Sequence, residues 1–133
     1  MKVLVSALPI LLAAASAVPA QVYTEMEAWM KSADQALAAI RETPGKTGAK
    51  MTGLGERIAT VNENMVAFWR QRNAADAVNA SAQGKAFALQ FAIAARSEDE
   101  AGAAAAFKQL TGTCRSCHDQ HRERLPGNKF RLK

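Results

Sequence analysis

The sequence predicts an all-α fold, an antiparallel up-down-up-down bundle of four helices. Four segments repeat apolar side chains at intervals of three and four residues, the spacing of one helical face. No stretch alternates apolar and polar residues in the manner of a half-buried strand. The pairs Pro44-Gly45 and Pro126-Gly127 end the first and last helices. Helices joined by short connections pack most economically with neighbours antiparallel, which places helix one beside helix four.

The first helix is predicted over residues 22–41 and the second over about 54–72. The longest loop is expected from Thr43 to Gly55, because that stretch holds four glycines and a proline. Each helix presents one apolar stripe toward the expected core. The stripes are Val22, Met26, Trp29, Ala33, Leu37 and Ile40 in helix one, and Leu54, Ile58, Val61, Met65 and Phe68, with Trp69 beside them, in helix two.

The third and fourth helices are predicted from their capping residues. Asn73 is expected to cap helix three, with the acid Asp76 three residues on. Ser97 is expected to cap helix four while Glu100 reaches back to it, and this helix runs to about Arg124. The core positions of helix three are expected to be Val78, Ala82, Phe87, Leu89, Phe91 and Ile93.

Residues 1–20 are typical of a cleavable export signal, with Lys2 followed by an uncharged apolar run. The run ends in the small residues Val18-Pro19-Ala20, and a cut after Ala17 fits equally well. An uncleaved anchor is the alternative, but the run is shorter than the roughly 20 apolar residues of a bilayer-spanning helix. We expect residues 21–133 to form one domain in the periplasm, without a stable membrane anchor.

The charge distribution gives no indication of nucleic acid binding. The formal net charge is +5, and the basic side chains are scattered except in the tail at 129–133, which favours a solvated face over a binding patch. The hypothesis that the chain binds an acidic redox partner stays open. A homodimer formed through Trp29, Phe68 and Trp69 also stays open, although aromatic residues on a core stripe are more often buried.

Late in helix four, Cys114, Cys117 and His118 form the pattern C-x-x-C-H, which is the attachment pattern of c-type haem. Residues three apart share a helical face, so both thiols can form thioethers with the vinyl groups on one side of a porphyrin. His118 follows directly and can reach the iron from that side. The sequence therefore predicts one covalently bound haem c per chain.

Three other uses of the cysteine pair are less favoured. A redox-active C-x-x-C is expected at a helix N-terminus in a βαβ unit, whereas this pair lies late in an all-α chain. A structural zinc site needs four ligands, and His121 supplies only a fourth candidate crowded on the same helix. A disulfide, common in exported proteins, leaves the adjoining histidine unexplained. Close approach to the porphyrin is expected to explain the helix-weakening Gly112.

The C-x-x-C-H on helix four, followed by Arg122 four residues after His118, resembles the cytochrome c′ and cytochrome c-556 group. The resemblance covers most of the chain after residue 20, with helix one matching more loosely. It implies a bundle that encloses the haem between helices one and four, and a role for Arg122 beside the His118 imidazole; a solvated cation is the alternative. An enzyme is not expected, because no distal histidine is available as acid or base.

Members of that group differ in what lies on the second face of the haem iron. The resemblance implies that this difference determines the function. Some bind small gases such as NO and CO on an open face, and others place a methionine of helix one there. An antiparallel helix one should oppose His118 roughly seven residues from its own start, between Met26 and Met30. Met26 lies on the apolar stripe and is preferred, although either methionine can be ordinary core filler. We expect a His118/Met26 electron carrier acting with a redox partner, with a five-coordinate gas-binding protein as the alternative.

Overall fold

Four helices form, and a short hairpin follows them. The computed structural model describes residues 20–127 and 129–133, so the predicted signal lies, apart from Ala20, outside the described residues. None of the described helices combines the length and apolar character that a bilayer crossing requires. The elements are α1 (Ala20–Glu42), α2 (Ala49–Gln71), α3 (Ala75–Arg96), α4 (Glu100–His121), β1 (Arg122–Leu125) and β2 (Lys129–Leu132).

The connection between α1 and α2 is shorter than predicted. Helix α2 begins at Ala49, so the expected loop from 43 to 55 is wrong in its second half. Within this connection the chain turns at Gly45 and Gly48. Their φ angles of 77° and 99° are accessible mainly to glycine. The N–H of Gly48 donates to the Ala95 carbonyl at 3.0 Å, which fixes this turn against the end of α3.

Both predicted N-caps are wrong by one or two residues. Asn73 takes a left-handed φ of 54°, and Ala74 is the N-cap of α3 without a side-chain hydrogen bond. Ser97 is instead the C-cap of α3, because that helix continues to the residue before it. Asp99 caps α4 by accepting the N–H of Gly102 at 2.9 Å. The junctions are therefore tighter than the sequence pattern indicated.

Glu100 does not reach back within its own helix. Its carboxylate oxygens accept the backbone N–H of Lys46, each at 2.7 Å, and so link the start of α4 to the connection between α1 and α2. The Lys46 ammonium also donates to the carbonyls of Ile40 and Thr43 at 2.7 Å, where it completes the end of α1. This end of the bundle is thus tied together by polar contacts.

Helix α4 ends at His121, three residues before the predicted Arg124, and a hairpin begins there. Strands β1 and β2 pair antiparallel, with Arg122 opposite Leu132 and Arg124 opposite Phe130. Strands of four residues offer too short an alternation to be recognised in the sequence, although the Pro-Gly pair does mark the turn. The predicted four-helix bundle is confirmed, and the hairpin is an element that was not predicted.

Helix packing is closest from α2 through α3 to α4, while α1 packs mainly on α2. Gly55 of α2 allows this closeness, because a β-carbon there would lie 2.8 Å from Phe91 Cδ1 and 3.0 Å from the Ala88 carbonyl. Gly84 of α3 gives similar room to the side chain of Asn62. Helices α1 and α4 approach less closely, and a cavity lies between them.

The core confirms the predicted stripe of α2 and that of α1 from Met26 onward, whereas the side chain of Val22 lies outside the described part of the chain. In α3 the core confirms Phe91 but not Ala82, which is exposed. Leu89 and Ile93 are 39% and 61% exposed, because α3 turns small residues toward its neighbours instead. Phe68 and Trp69 are each only 4% exposed, so these two aromatics face the interior and not a partner chain. The buried residues of α3 are Ala77, Ser81, Gly84, Ala88, Phe91, Ala92 and Ala95.

Candidate cofactor site

A cavity of about 590 Å³ opens between α1 and α4 and contains the whole predicted attachment motif in its lining. Its size is in the usual range for a cofactor site. Helix α2 supplies an apolar wall to the space. The lining includes Met26, Met30, Asp34, Leu37 and Arg41 from α1, Val61, Met65 and Trp69 from α2, and Cys114, Cys117 and His118 from α4.

The two cysteines are free thiols on one face of α4, as their spacing predicts. Burial, assisted by Asp34, raises the pKa of Cys114. Burial, assisted by Asp76 and Cys114, raises the pKa of Cys117 to about 11. Both thiols are therefore protonated at neutral pH. A redox-active pair has the opposite property, a lowered thiol pKa.

His118 lies partly buried beside the cysteines. Burial and then the positive charge of Arg122 lower the pKa of His118, against weaker opposite effects of Asp34 and Asp119. The ring is accordingly neutral at physiological pH, which is the form that coordinates metals. The structure brings this imidazole to the same cavity as both thiols.

Arg122 stands at the junction of α4 and the hairpin. It is the C-cap residue of α4 and lines both the main cavity and a smaller pocket with His118, Asp119, Arg124 and Phe130. Its guanidinium carbon lies 4.1 Å from the ring centroid of Phe130. Sequence reasoning missed Phe130, because this contact exists only through the pairing of β1 with β2.

The two methionines of α1, Met26 and Met30, line the same cavity. Met26 is 7% exposed and belongs to a cluster of buried residues with Met65, Phe68 and Trp69. Met30 is partly buried and packs at the border of that cluster, as does Cys117. The helix register predicted from the sequence thus places both candidate methionines on the cavity wall.

His121 makes a contact that the sequence analysis missed. Its Nε2 lies 2.7 Å from Asp76 Oδ2, and its ring centroid is 4.7 Å from that of Trp69. The hydrogen bond from His121 lowers the pKa of Asp76. His121 therefore links the ends of α4 and α3 and is not directed to the thiols. Within 20–127 and 129–133, no three His, Cys, Asp or Glu side chains are arranged to hold a metal ion.

Comparison with protein families gives one match. The model of the family described as Cytochrome C' matches residues 62–122, which include α3, α4 and the C-x-x-C-H motif. Over this span, which is less than half of the chain, the sequence is similar to the cytochromes c′. No curated protein and no solved structure matches. The matched span does not include α1, and the two methionines are therefore outside it.

The cytochrome c′ family accounts for the fold and the cofactor. Cytochromes c′ are four-helix bundles that bind haem c with iron, typically one per chain. They are generally non-enzymatic, typically periplasmic, and can bind gases and form dimers. The match suggests a monohaem c-type cytochrome as the broad class of this chain.

The residues on the cavity wall fit such a group. Two neutral thiols and a neutral imidazole lie on one side, and apolar side chains of α2 form the back. Trp69 Nε1 is buried without a hydrogen-bond partner among the described residues, so an acceptor on a bound cofactor would satisfy it. Gly112, in contrast, is exposed, lies outside the lining and has nothing within 4 Å of the point that a β-carbon would occupy. The expectation that porphyrin contact explains Gly112 stays a prediction.

Proposed function

We propose that this chain is a periplasmic electron carrier, with haem attached through Cys114 and Cys117 and with His118 and Met26 as axial iron ligands. One observation carries the proposal: the motif on α4 and the methionines on α1 line one and the same cavity. That arrangement would make the His118 nitrogen and a methionine sulfur of α1 available to a bound haem.

Attachment uses the chemistry of the two thiols. Each S–H would add across a vinyl double bond of the haem, with the sulfur bonding one carbon and the hydrogen ending on the other. Cys114 and Cys117 are three residues apart on a continuous helix, which places both side chains on one face. His118 is held by the next peptide bond. The cysteines thereby position the imidazole, and Arg122 helps to keep it neutral.

The bound haem supplies a one-electron iron couple, whose potential depends on the axial ligands and on burial. On the α1 side of the cavity, the chain supplies the thioether of Met26, which is packed among other apolar side chains. Met26 is buried with Phe68 and Trp69, which keeps water away from this side of the cavity. A methionine ligand raises the potential of haem iron. Met30, one turn further along the same face, is the alternate ligand.

A second candidate function is binding of small gases such as NO and CO to five-coordinate iron. The packing of Met26 within its own cluster favours this alternative, because a side chain retained there leaves an apolar wall opposite His118. Cytochromes c′ can bind gases. The two functions share the attachment site and differ only in what lies on the α1 side of the iron.

Absorption spectra of the purified protein distinguish these functions. We expect the denatured protein to keep its haem, and a double variant, Cys114→Ala with Cys117→Ala, to lose it to acidic acetone. The oxidised protein should show the weak sulfur-to-iron band. That band should disappear in Met26→Ala and persist in the matched variant Met30→Ala. A high-spin spectrum that sharpens with carbon monoxide in the unmodified protein would reject the carrier proposal and support gas binding.

Export is tested separately. We expect mature protein from the periplasmic fraction to begin at Gln21, or at Val18 if the cut follows Ala17. Retention of Met1 in a membrane fraction would instead support the uncleaved anchor.

A further inference from the structure

The positive charge of this chain is concentrated in its hairpin. Residues 21–121 contain eleven basic and eleven acidic side chains, so the four helices are neutral in sum. The next twelve residues, 122–133, contain five basic side chains and one acidic side chain. All of the net side-chain charge after residue 20 therefore lies in and beside β1 and β2.

The hairpin is fixed next to the cavity. The N–H of Lys133 donates to the carbonyl of His121 at 3.0 Å, at the end of α4. Leu132 lines the cavity and packs against the cluster that contains Met26. The charged segment thus lies against the part of the bundle where His118 is located, and its position depends on backbone and apolar contacts.

All five cations of the hairpin are exposed. Antiparallel pairing places Arg122, Arg124 and Phe130 on one face and Lys129 and Arg131 on the other. The guanidinium carbons of Arg122 and Arg124 lie 4.1 Å and 5.9 Å from the Phe130 centroid. Phe130 is still 45% exposed. Arginine and aromatic side chains are enriched at protein interfaces and among their strongest contacts.

We propose that the β1–β2 hairpin is the docking surface for a redox protein with an acidic surface. This inference rests on the proposed electron-carrier function, because it assigns the partner's approach to the His118 end of the bundle. A local excess of positive charge accelerates encounter with an acidic protein and orients it. The partner's carboxylates would face Lys129 and Lys133.

An anionic lipid surface is less well matched to this hairpin. Peripheral membrane binding needs an apolar face that can enter the bilayer interface. Among the described residues of the hairpin, Phe130 is the one exposed large hydrophobic residue, and Arg122 lies over its ring. Arg131 is also held by Glu123, at 2.6 Å. The hairpin therefore offers charge and one partly covered aromatic ring.

Two charge-reversal variants with the same net change test the proposal. The first carries Lys129→Glu and Lys133→Glu, and the control carries Lys50→Glu and Lys108→Glu at exposed sites on α2 and α4 outside the cavity lining. The measurement is the stopped-flow rate at which reduced flavodoxin, an acidic flavoprotein, reduces the oxidised haem between 10 and 200 mM ionic strength. Spectrum and midpoint potential are recorded for each protein.

We expect the unmodified rate to fall as salt increases. The hairpin variant should be about ten-fold slower at low salt and nearly independent of salt, while the control stays within about two-fold of the unmodified protein. Equal reduction rates for the hairpin variant and the control variant would overturn the docking proposal. If the absorption spectra of both variants are unchanged, that result leaves the carrier function intact. Hairpin-dependent sedimentation with phosphatidylglycerol vesicles, without a rate effect, would assign the hairpin to a lipid surface and also overturn it. If the unmodified protein contains no reducible haem, the proposed function fails, and the docking proposal fails with it.

Discussion

Replacing Gly55 by alanine should destabilise the bundle although alanine is the better helix former. Within a helix the exchange gains about 1 kcal/mol. The added methyl group would lie 2.8 Å from Phe91 Cδ1, 3.0 Å from the Ala88 carbonyl oxygen and 3.1 Å from Ala92 Cβ. These contacts are closer than ordinary van der Waals separation, and the carbonyl can move only if α3 moves with it. Overpacking of this kind costs about 1–3 kcal/mol, so the net change is a loss of up to about 2 kcal/mol.

Gly53 provides the matched control, because it lies two residues earlier in α2 with nothing within 4 Å of its methyl position. Gly53→Ala should therefore be stabilising by about 1 kcal/mol. Thermal unfolding of the haem-loaded proteins, followed by circular dichroism, should separate the two variants by roughly 10 °C, at about 4 °C per kcal/mol for a domain of this size. A Gly55→Ala protein as stable as Gly53→Ala would refute the close approach of α2 and α3.

Three further predictions concern other parts of the molecule. Phe91→Ala should cost about 3–5 kcal/mol in urea unfolding, whereas Ile93→Ala should cost less than about 0.5 kcal/mol because Ile93 is 61% exposed; similar losses would contradict the orientation of α3. In haem-free protein, alkylation of Cys117 by iodoacetamide should keep accelerating up to a pH of about 11, where its raised pKa lies, and a plateau near pH 9 would contradict that shift. The His121 bond lowers the pKa of Asp76 below its usual 3.8, so the pair stabilises the fold above that pH and its contribution is lost as pH falls through the lowered pKa. The stability difference between unmodified protein and Asp76→Asn should accordingly shrink on acidification; a constant difference would show that the pair is not coupled to folding.

Features that depend on local spacing were predictable from the sequence. The apolar stripes of α1 and α2 set which faces are buried, and the spacing of Cys114 and Cys117 places both on one side of α4. The same reasoning found Met26 and Met30 as residues facing the motif, because antiparallel packing fixes which turns of α1 and α4 are opposite. In each case, helical periodicity was sufficient.

Features that depend on a distant partner were not predictable in this way. Asp76 has the sequence context of a capping acid, but its partner is His121, 45 positions away. Helix α3 is apolar on more than one side, so periodicity alone could not tell that Phe91 is buried and Ile93 exposed. Phe130 joins the site only because the chain reverses at a turn after α4. These outcomes follow from tertiary packing.

The cysteines belong to two separate hydrophobic clusters. Cys114 packs against the cluster built around Ile40, Ile58 and Phe91, and Cys117 packs against the one that contains Met26 and Trp69. A prosthetic group covalently joined to both cysteines would bridge these two hydrophobic clusters. Maturation would then do more than install a redox centre, because it would couple both regions into one cooperative folding unit.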